Sequence, residues 1–223
     1  MGSAVAAGLR AAGHRFVAVC GPRPPDGQTA VADILGEAGV AVYEVGDFNH
    51  TLHLGLVRRL RKIIRQERVD YVVTFFVTTD TRHVGVALAG LGIPLIASVQ
   101  NEIQFLGRPL MRGVKSAGFG VVYRRCVDRA LCTSSRIRDD LVRRYRFPVD
   151  RLEVLTNGVD TGRALALPDL EREGVRKELG VATGEILLLN VGRIDEQKGQ
   201  LVLLEAIEPL VAKGRQFKLC LVG

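Results

Sequence analysis

Apolar positions along this chain fall into short β-like runs separated by longer stretches that recur at helical spacing. The runs Phe16 to Cys20, Val40 to Val45, Val69 to Val77, Pro94 to Val99, Arg129 to Thr133, Leu152 to Thr156, Ile186 to Val191 and Phe217 to Val222 predict strands. Helices are predicted over Ala4 to Ala12, Thr29 to Ala38, Leu52 to Arg68, Arg82 to Leu91, after Gly120, after a cap at Ser134 or Ser135, and over Leu201 to Lys213. Within Leu52 to Arg68, the residues Leu56, Val57, Leu60, Ile63 and Ile64 share one face and the cations take the other, so this helix should lie on a sheet. Ile137, Leu141, Val142 and Tyr145 form a similar stripe. The nearly continuous apolar, β-branched content of Val69 to Val77 predicts burial on both faces, as in a parallel sheet. Gln100 to Gly120 reads as a long connection, and Pro209 should kink its helix or make the middle irregular.

Strands that alternate with helices imply an α/β fold with parallel sheets, because parallel neighbours need a crossover between them. The sequence turns polar between Asp160 and Glu178, after the turn signal Asn157-Gly158. That shift predicts a first domain over 1–165, a linker over 166–184 and the start of a second domain over 185–223. The first element is a helix with no strand before it, and the second region has two strands and one helix. So few elements cannot cover their own apolar faces, which leads us to expect a piece of a larger protein with most of its second domain missing.

Composition narrows the class. A hydrophobic content of 47% supports a packed core, and no apolar stretch approaches the length of a membrane-spanning helix. With no basic-then-apolar leader pattern, the chain reads as cytoplasmic. Cys20, Cys126, Cys132 and Cys220 lie scattered, which suggests buried thiols and neither a disulfide framework nor a zinc site. The net charge of +7 comes from cations on predicted helices, such as Arg58, Arg59, Arg61, Lys62 and Arg65. Each cluster is explained by a solvated helix face; together they also suit nucleic acid, an anionic membrane surface or a phosphate-bearing substrate.

The stretch with the most chemistry is Asn190 to Gly199. A strand, a turn containing Gly192 and Arg193, and Lys198-Gly199 before a helix make a place for an anionic phosphate. Gly192 permits close approach of the main chain, Arg193 offers a planar fork of donors, and Lys198 adds a compact positive charge. The spacing alone fits an ordinary strand-to-helix loop equally well.

Val191-Gly192-Arg193 with Lys198-Gly199, preceded by Leu155-Thr156-Asn157-Gly158-Val159-Asp160, resembles the two-domain glycosyltransferases of the GT-B fold, in particular family 4. Ala11-Ala12-Gly13-His14, Val69-Asp70-Tyr71-Val72-Val73 and Gly92-Ile93-Pro94-Leu95-Ile96 fall in a similar order, so the likeness runs along nearly the whole chain. It implies two Rossmann-like domains and a retaining transfer of a sugar from a nucleotide-sugar donor to a glycan or lipid-linked acceptor. Peripheral association with the inner face of an anionic membrane would suit such an acceptor, and a nucleic-acid partner is not expected. By this resemblance Gly192, Arg193 and Lys198 hold the donor diphosphate, and Asn157 and Gly158 form a turn near the cleft. No Asp-x-Asp motif occurs, and two cations can stand in for a divalent ion, so no metal and no cofactor are expected. The alternatives are a nucleotide-sugar hydrolase or epimerase of the same fold and a non-catalytic basic protein that binds membrane or nucleic acid.

Members of the family often place a histidine after the strand that here ends at Val99, where this chain has Gln100-Asn101-Glu102. Asn101 and Glu102 could orient an acceptor hydroxyl or simply form a polar strand end. A pair of glutamates that grips the donor sugar and ribose in relatives would lie beyond Gly223, so the stretch in hand is expected to be incomplete for catalysis. His50 and His53 suggest a metal pair at first sight, but two ligands without a third make no site.

Overall fold

The computed structural model describes residues 8–22, 31–46, 48, 52–75, 79–103, 109–158 and 169–223. The chain divides into two compact units, Met1–Asn157 and Gly158–Gly223.

In the first unit, residues 8–11 are helical and precede β1 (Val17–Cys20), α1 (Val31–Glu37) and β2 (Ala41–Glu44). β1 and β2 pair in parallel, with Val17 opposite Ala41. Then follow α2 (Leu54–Gln66), β3 (Val72–Thr74), α3 (Thr79–Leu88), β4 (Leu95–Val99), α4 (Pro109–Cys126), β5 (Arg129–Cys132), α5 (Ser135–Tyr145) and β6 (Leu152–Val154). These strands form a four-stranded parallel sheet in the order β3-β4-β5-β6. β4 lies inside it, and Leu95, Ala97 and Val99 are wholly buried. Every member of the predicted apolar stripe on α2 is buried in the same core, which explains why this amphipathic helix forms where it does. β3 is shorter than its apolar run predicts, and residues 76–78 lie outside the described residues.

Two expectations need correction. The stretch read as a long connection is helical from Pro109 onward; Gly113, Ser116, Gly118 and Gly120 interrupt the apolar spacing that would have marked it. Two glycines let this helix approach its neighbours. A Cβ on Gly120 would lie 3.3 Å from the Tyr145 carbonyl, and one on Gly85 of α3 would lie 2.7 Å from Cys126 Cβ. The polar segment between Asp160 and Glu178 also contains a helix, α6 (Asp169–Glu178), which has no apolar stripe strong enough to announce it.

Ser134 is the cap of α5, its hydroxyl accepting from the Ile137 N–H at 3.3 Å. Along that helix Ile137, Leu141 and Tyr145 are buried and Val142 is half-buried. Tyr145 donates its hydroxyl proton to the Ile103 carbonyl at 3.1 Å, anchoring the segment after β4.

In the second unit, β7 (Ile186–Val191) and β8 (Phe217–Val222) pair in parallel with α7 (Gln200–Ala212) between them. Pro209 sits within α7, and the helix runs through it to Ala212. Ile186, Val191, Ile194, Leu201 and Val202 are largely exposed.

The four thiols are free, with Cys132 buried and the others half-buried. Burial raises the pKa of Cys20 and Cys126 and pushes Cys132 up to about 11, so these thiols stay protonated and unreactive near neutral pH.

Candidate functional site

The second unit's strands end side by side. The Gly192 N–H donates to the Val222 carbonyl at 2.8 Å, which carries the pairing one residue past β7. A Cβ on Gly223 would lie 2.7 Å from Gly192 O and 2.9 Å from Ile194 Cγ1. At the end of β8, Gly223 therefore lies where the main chain of the neighbouring turn passes too closely for a side chain.

Beyond Gly192 the chain makes one turn of 3-10 helix, Glu196–Lys198, and enters α7 through Gly199 in the left-handed conformation, φ 67°. This return brings Lys198 back over the strand end, so that a Cβ on Gly192 would lie 3.6 Å from Lys198 Cδ. The Arg193 side chain is 76% exposed, and its guanidinium pairs with the Asp195 carboxylate at 3.1 Å. Asp195 also accepts the Lys198 N–H at 3.2 Å and so caps the 3-10 turn. Beneath it lies Gln200, only 6% exposed. Its side-chain amide donates to Asn190 Oδ1 at 3.2 Å and to the Arg193 carbonyl at 3.0 Å, tying strand, turn and helix together.

The structure thus places Gly192, Arg193 and Lys198 on one turn at the carboxyl end of a parallel strand, before the N-terminus of a helix. Two cations, exposed main chain and a helix dipole make a site suited to an anion with more than one charged group. Asp195 and Gln200 were missed at the sequence level. The Asp195 spacing, three residues before the amide it caps, was a readable signal; the Gln200 contacts depend on tertiary packing and left none.

The other candidates lie in or at the edge of the first unit. Asn101 is exposed, while Glu102 is half-buried and paired with Arg136 near the start of α5 at 2.6 Å. Around them Gln100 donates its side-chain amide to the Ser98 hydroxyl, and Thr133 donates its hydroxyl to the Gln100 carbonyl at 3.2 Å. The segment therefore stitches the ends of β4 and β5. Asn157 closes the first unit, Gly158 opens the second, and both are exposed. His53 precedes α2, and its main-chain N–H donates to Nε2 of the fully buried His83 at 3.3 Å. His50 and Asp160 lie outside the described residues. Among the described residues no group of three His, Cys, Asp or Glu is placed to hold a metal, and no helix is long and apolar enough to cross a membrane.

Parallel α/β units with this strand-turn-helix have the fold class of GT-B glycosyltransferases. The family model described as Glycosyltransferase Family 4 matches residues 3–163, well over half of the chain, and the chain belongs to that family. The match ends before the Gly192 turn.

The alpha-maltose-1-phosphate synthase of Mycolicibacterium smegmatis is 38% identical over 80 residues, covering 35% of this chain and 21% of that protein. A glycosyltransferase from Rickettsia africae superposes with a TM-score of 0.76 at 18% identity, over 100% of this chain and 56% of that one. The Anabaena protein HepE, solved in complex with UDP and glucose, gives 0.68 at 14% identity, over 100% of this chain and 66% of that one. The chain thus spans a fifth of the curated relative and about half to two thirds of these structures. At such identities the two superpositions establish fold alone.

Proposed function

We propose that the protein acts in the retaining transfer of a sugar from a nucleotide-sugar donor to a glycan or lipid-linked acceptor, with the second unit holding the donor diphosphate. The observation that carries this reading is the convergence of Gly192, Arg193 and Lys198 on one turn beside the end of β8. HepE, of the same fold, is solved with UDP, which supports a nucleotide as ligand.

As the glycosidic bond breaks, negative charge grows on the departing diphosphate. Fixed cations at that point stabilise the transition state more than the ground state. Arg193 supplies directional donors and Lys198 a point charge, so this reading includes no metal and no cofactor. In it the first unit, with Asn101 and Glu102, serves the acceptor, and Asn157 and Gly158 form a turn near the cleft. The exposed cations Arg58, Lys62 and Arg65 of α2 suit loose attachment to an anionic membrane carrying a lipid-linked acceptor.

Calorimetric titration of the chain with UDP tests the site. An Arg193→Ala, Lys198→Ala double variant should bind at least about tenfold more weakly, since each charge-assisted hydrogen bond contributes roughly 1.5–3 kcal/mol. Unchanged affinity would sink the assignment of these residues.

A second reading draws on the UDP-GlcNAc 2-epimerase of Neisseria meningitidis, which superposes with a TM-score of 0.54 at 14% identity over 98% of this chain and 60% of that one. A nucleotide-sugar hydrolase or epimerase would use the same diphosphate turn. Product analysis with and without acceptor separates them: acceptor-dependent UDP release favours transfer, and a free or epimerised sugar without acceptor favours the second reading.

A further inference from the structure

Asp195 is out of place in a simple anion site. Its carboxylate lies 3.1 Å from the guanidinium of Arg193, so Coulomb's law alone says that it opposes an incoming diphosphate. Yet one oxygen accepts the Lys198 N–H while the other holds Arg193. The same side chain is tied to both residues that bear the cations. Arg193 has a long side chain that is mostly in solvent, and fixing it before a ligand arrives removes an ordering cost from binding.

We propose that Asp195 is a positioning residue, which presets the Arg193 guanidinium directly and, through the main-chain amide of Lys198, fixes the turn that carries the second cation. This rests on the reading of the turn as a diphosphate site. The contact to Arg193 involves a single terminal nitrogen, Nη2, and a guanidinium has a further edge of donors with which to meet phosphate oxygens. Asp195 therefore orients the fork without using it up. Its negative charge is the cost of that order, and the two effects predict opposite signs when the residue is removed.

The test is a double-mutant cycle on the full chain, read as UDP affinity by calorimetry. Asp195→Ala should weaken binding about tenfold through its coupling to Arg193, and should have almost no further effect in an Arg193→Ala background. Asp195→Asn, which retains an oxygen for the Lys198 amide but not the charge, should fall between wild type and Asp195→Ala. Affinity in Asp195→Ala equal to or above wild type overturns the proposal, because electrostatic relief then outweighs positioning. An equal loss in both backgrounds also overturns it, because the residue then acts through general folding. The ligand-free ion pair is read separately from the Arg193 side-chain Nε–H signal by NMR. Restricted rotation in wild type and free rotation in Asp195→Ala are expected, and equal mobility overturns the proposal. If wild-type protein binds neither UDP nor inorganic pyrophosphate, the diphosphate reading fails and the proposal fails with it, while the NMR comparison still decides whether the ion pair orders Arg193.

Discussion

Gln200 Nε2 donates to the Arg193 carbonyl at 3.0 Å, so a buried side chain at the start of α7 holds the main chain that carries the exposed cation. The same nitrogen reaches Asn190 Oδ1 in β7. Its partner atom, Oε1, is buried without a hydrogen-bond partner among the described residues.

This geometry separates stability from binding. In Gln200→Leu two donated bonds are lost and one unsatisfied acceptor is removed, terms of opposite sign that are each about 1–2 kcal/mol. The urea midpoint should therefore move little. UDP affinity should fall about two- to tenfold, comparable to the cost of re-ordering one side chain at a binding surface. Measuring both on one preparation checks the prediction, and unchanged UDP affinity would count against a role for Gln200 in shaping the turn.

The close approach of α3 to α4 gives a packing test within the first unit. A Cβ on Gly85 would lie 2.7 Å from Cys126 Cβ and 2.8 Å from Cys126 Sγ. No rotamer change removes the first contact, so Gly85→Ala must push the helices apart, at a cost of about 1–3 kcal/mol. Adding Cys126→Gly to Gly85→Ala should recover part of that loss, because the obstructing atoms are gone. Chemical unfolding of the two variants and wild type decides it: if Gly85→Ala is as stable as wild type, the helices are not packed as described.

The stripe on α2 was legible because all five of its apolar residues face one core, and a helix that rests on a sheet must repeat that way. The second-unit turn was legible as a candidate because Gly192, Arg193 and Lys198 lie within one local strand-turn-helix. What stayed hidden depends on contacts distant in sequence. α4 packs against Tyr145 through Gly120, where an apolar side chain would have been the signal, and a missing side chain leaves no periodicity to read. Glu102 reads as a free polar group until Arg136, on another element, is found beside it at 2.6 Å. Gln200 looks like an ordinary surface residue of a helix start until β7 and the turn close over it.

Glu67 gives the first unit an acid dependence whose sign follows from its partners. The Tyr43 hydroxyl donates to its carboxylate, and the Arg15 guanidinium pairs with it at 2.6 Å and also donates to its main-chain oxygen. The Tyr43 hydrogen bond, followed by the bond from Arg15, holds the Glu67 pKa below its ordinary value of 4.5, outweighing the opposing effect of burial. A carboxyl group whose pKa is lower in the folded than in the unfolded state contributes stability that is fully present above the unfolded value. That stability is lost as the pH falls through the folded value. The contribution should therefore be complete at neutral pH and fade below about pH 4.5. Glu67→Gln removes the titrating group, so its urea midpoint should lie below wild type at neutral pH, and the two curves should converge in acid. A gap between wild type and Glu67→Gln that stays constant from neutral pH into acid would show that the Arg15 and Tyr43 contacts do not depend on the carboxylate charge.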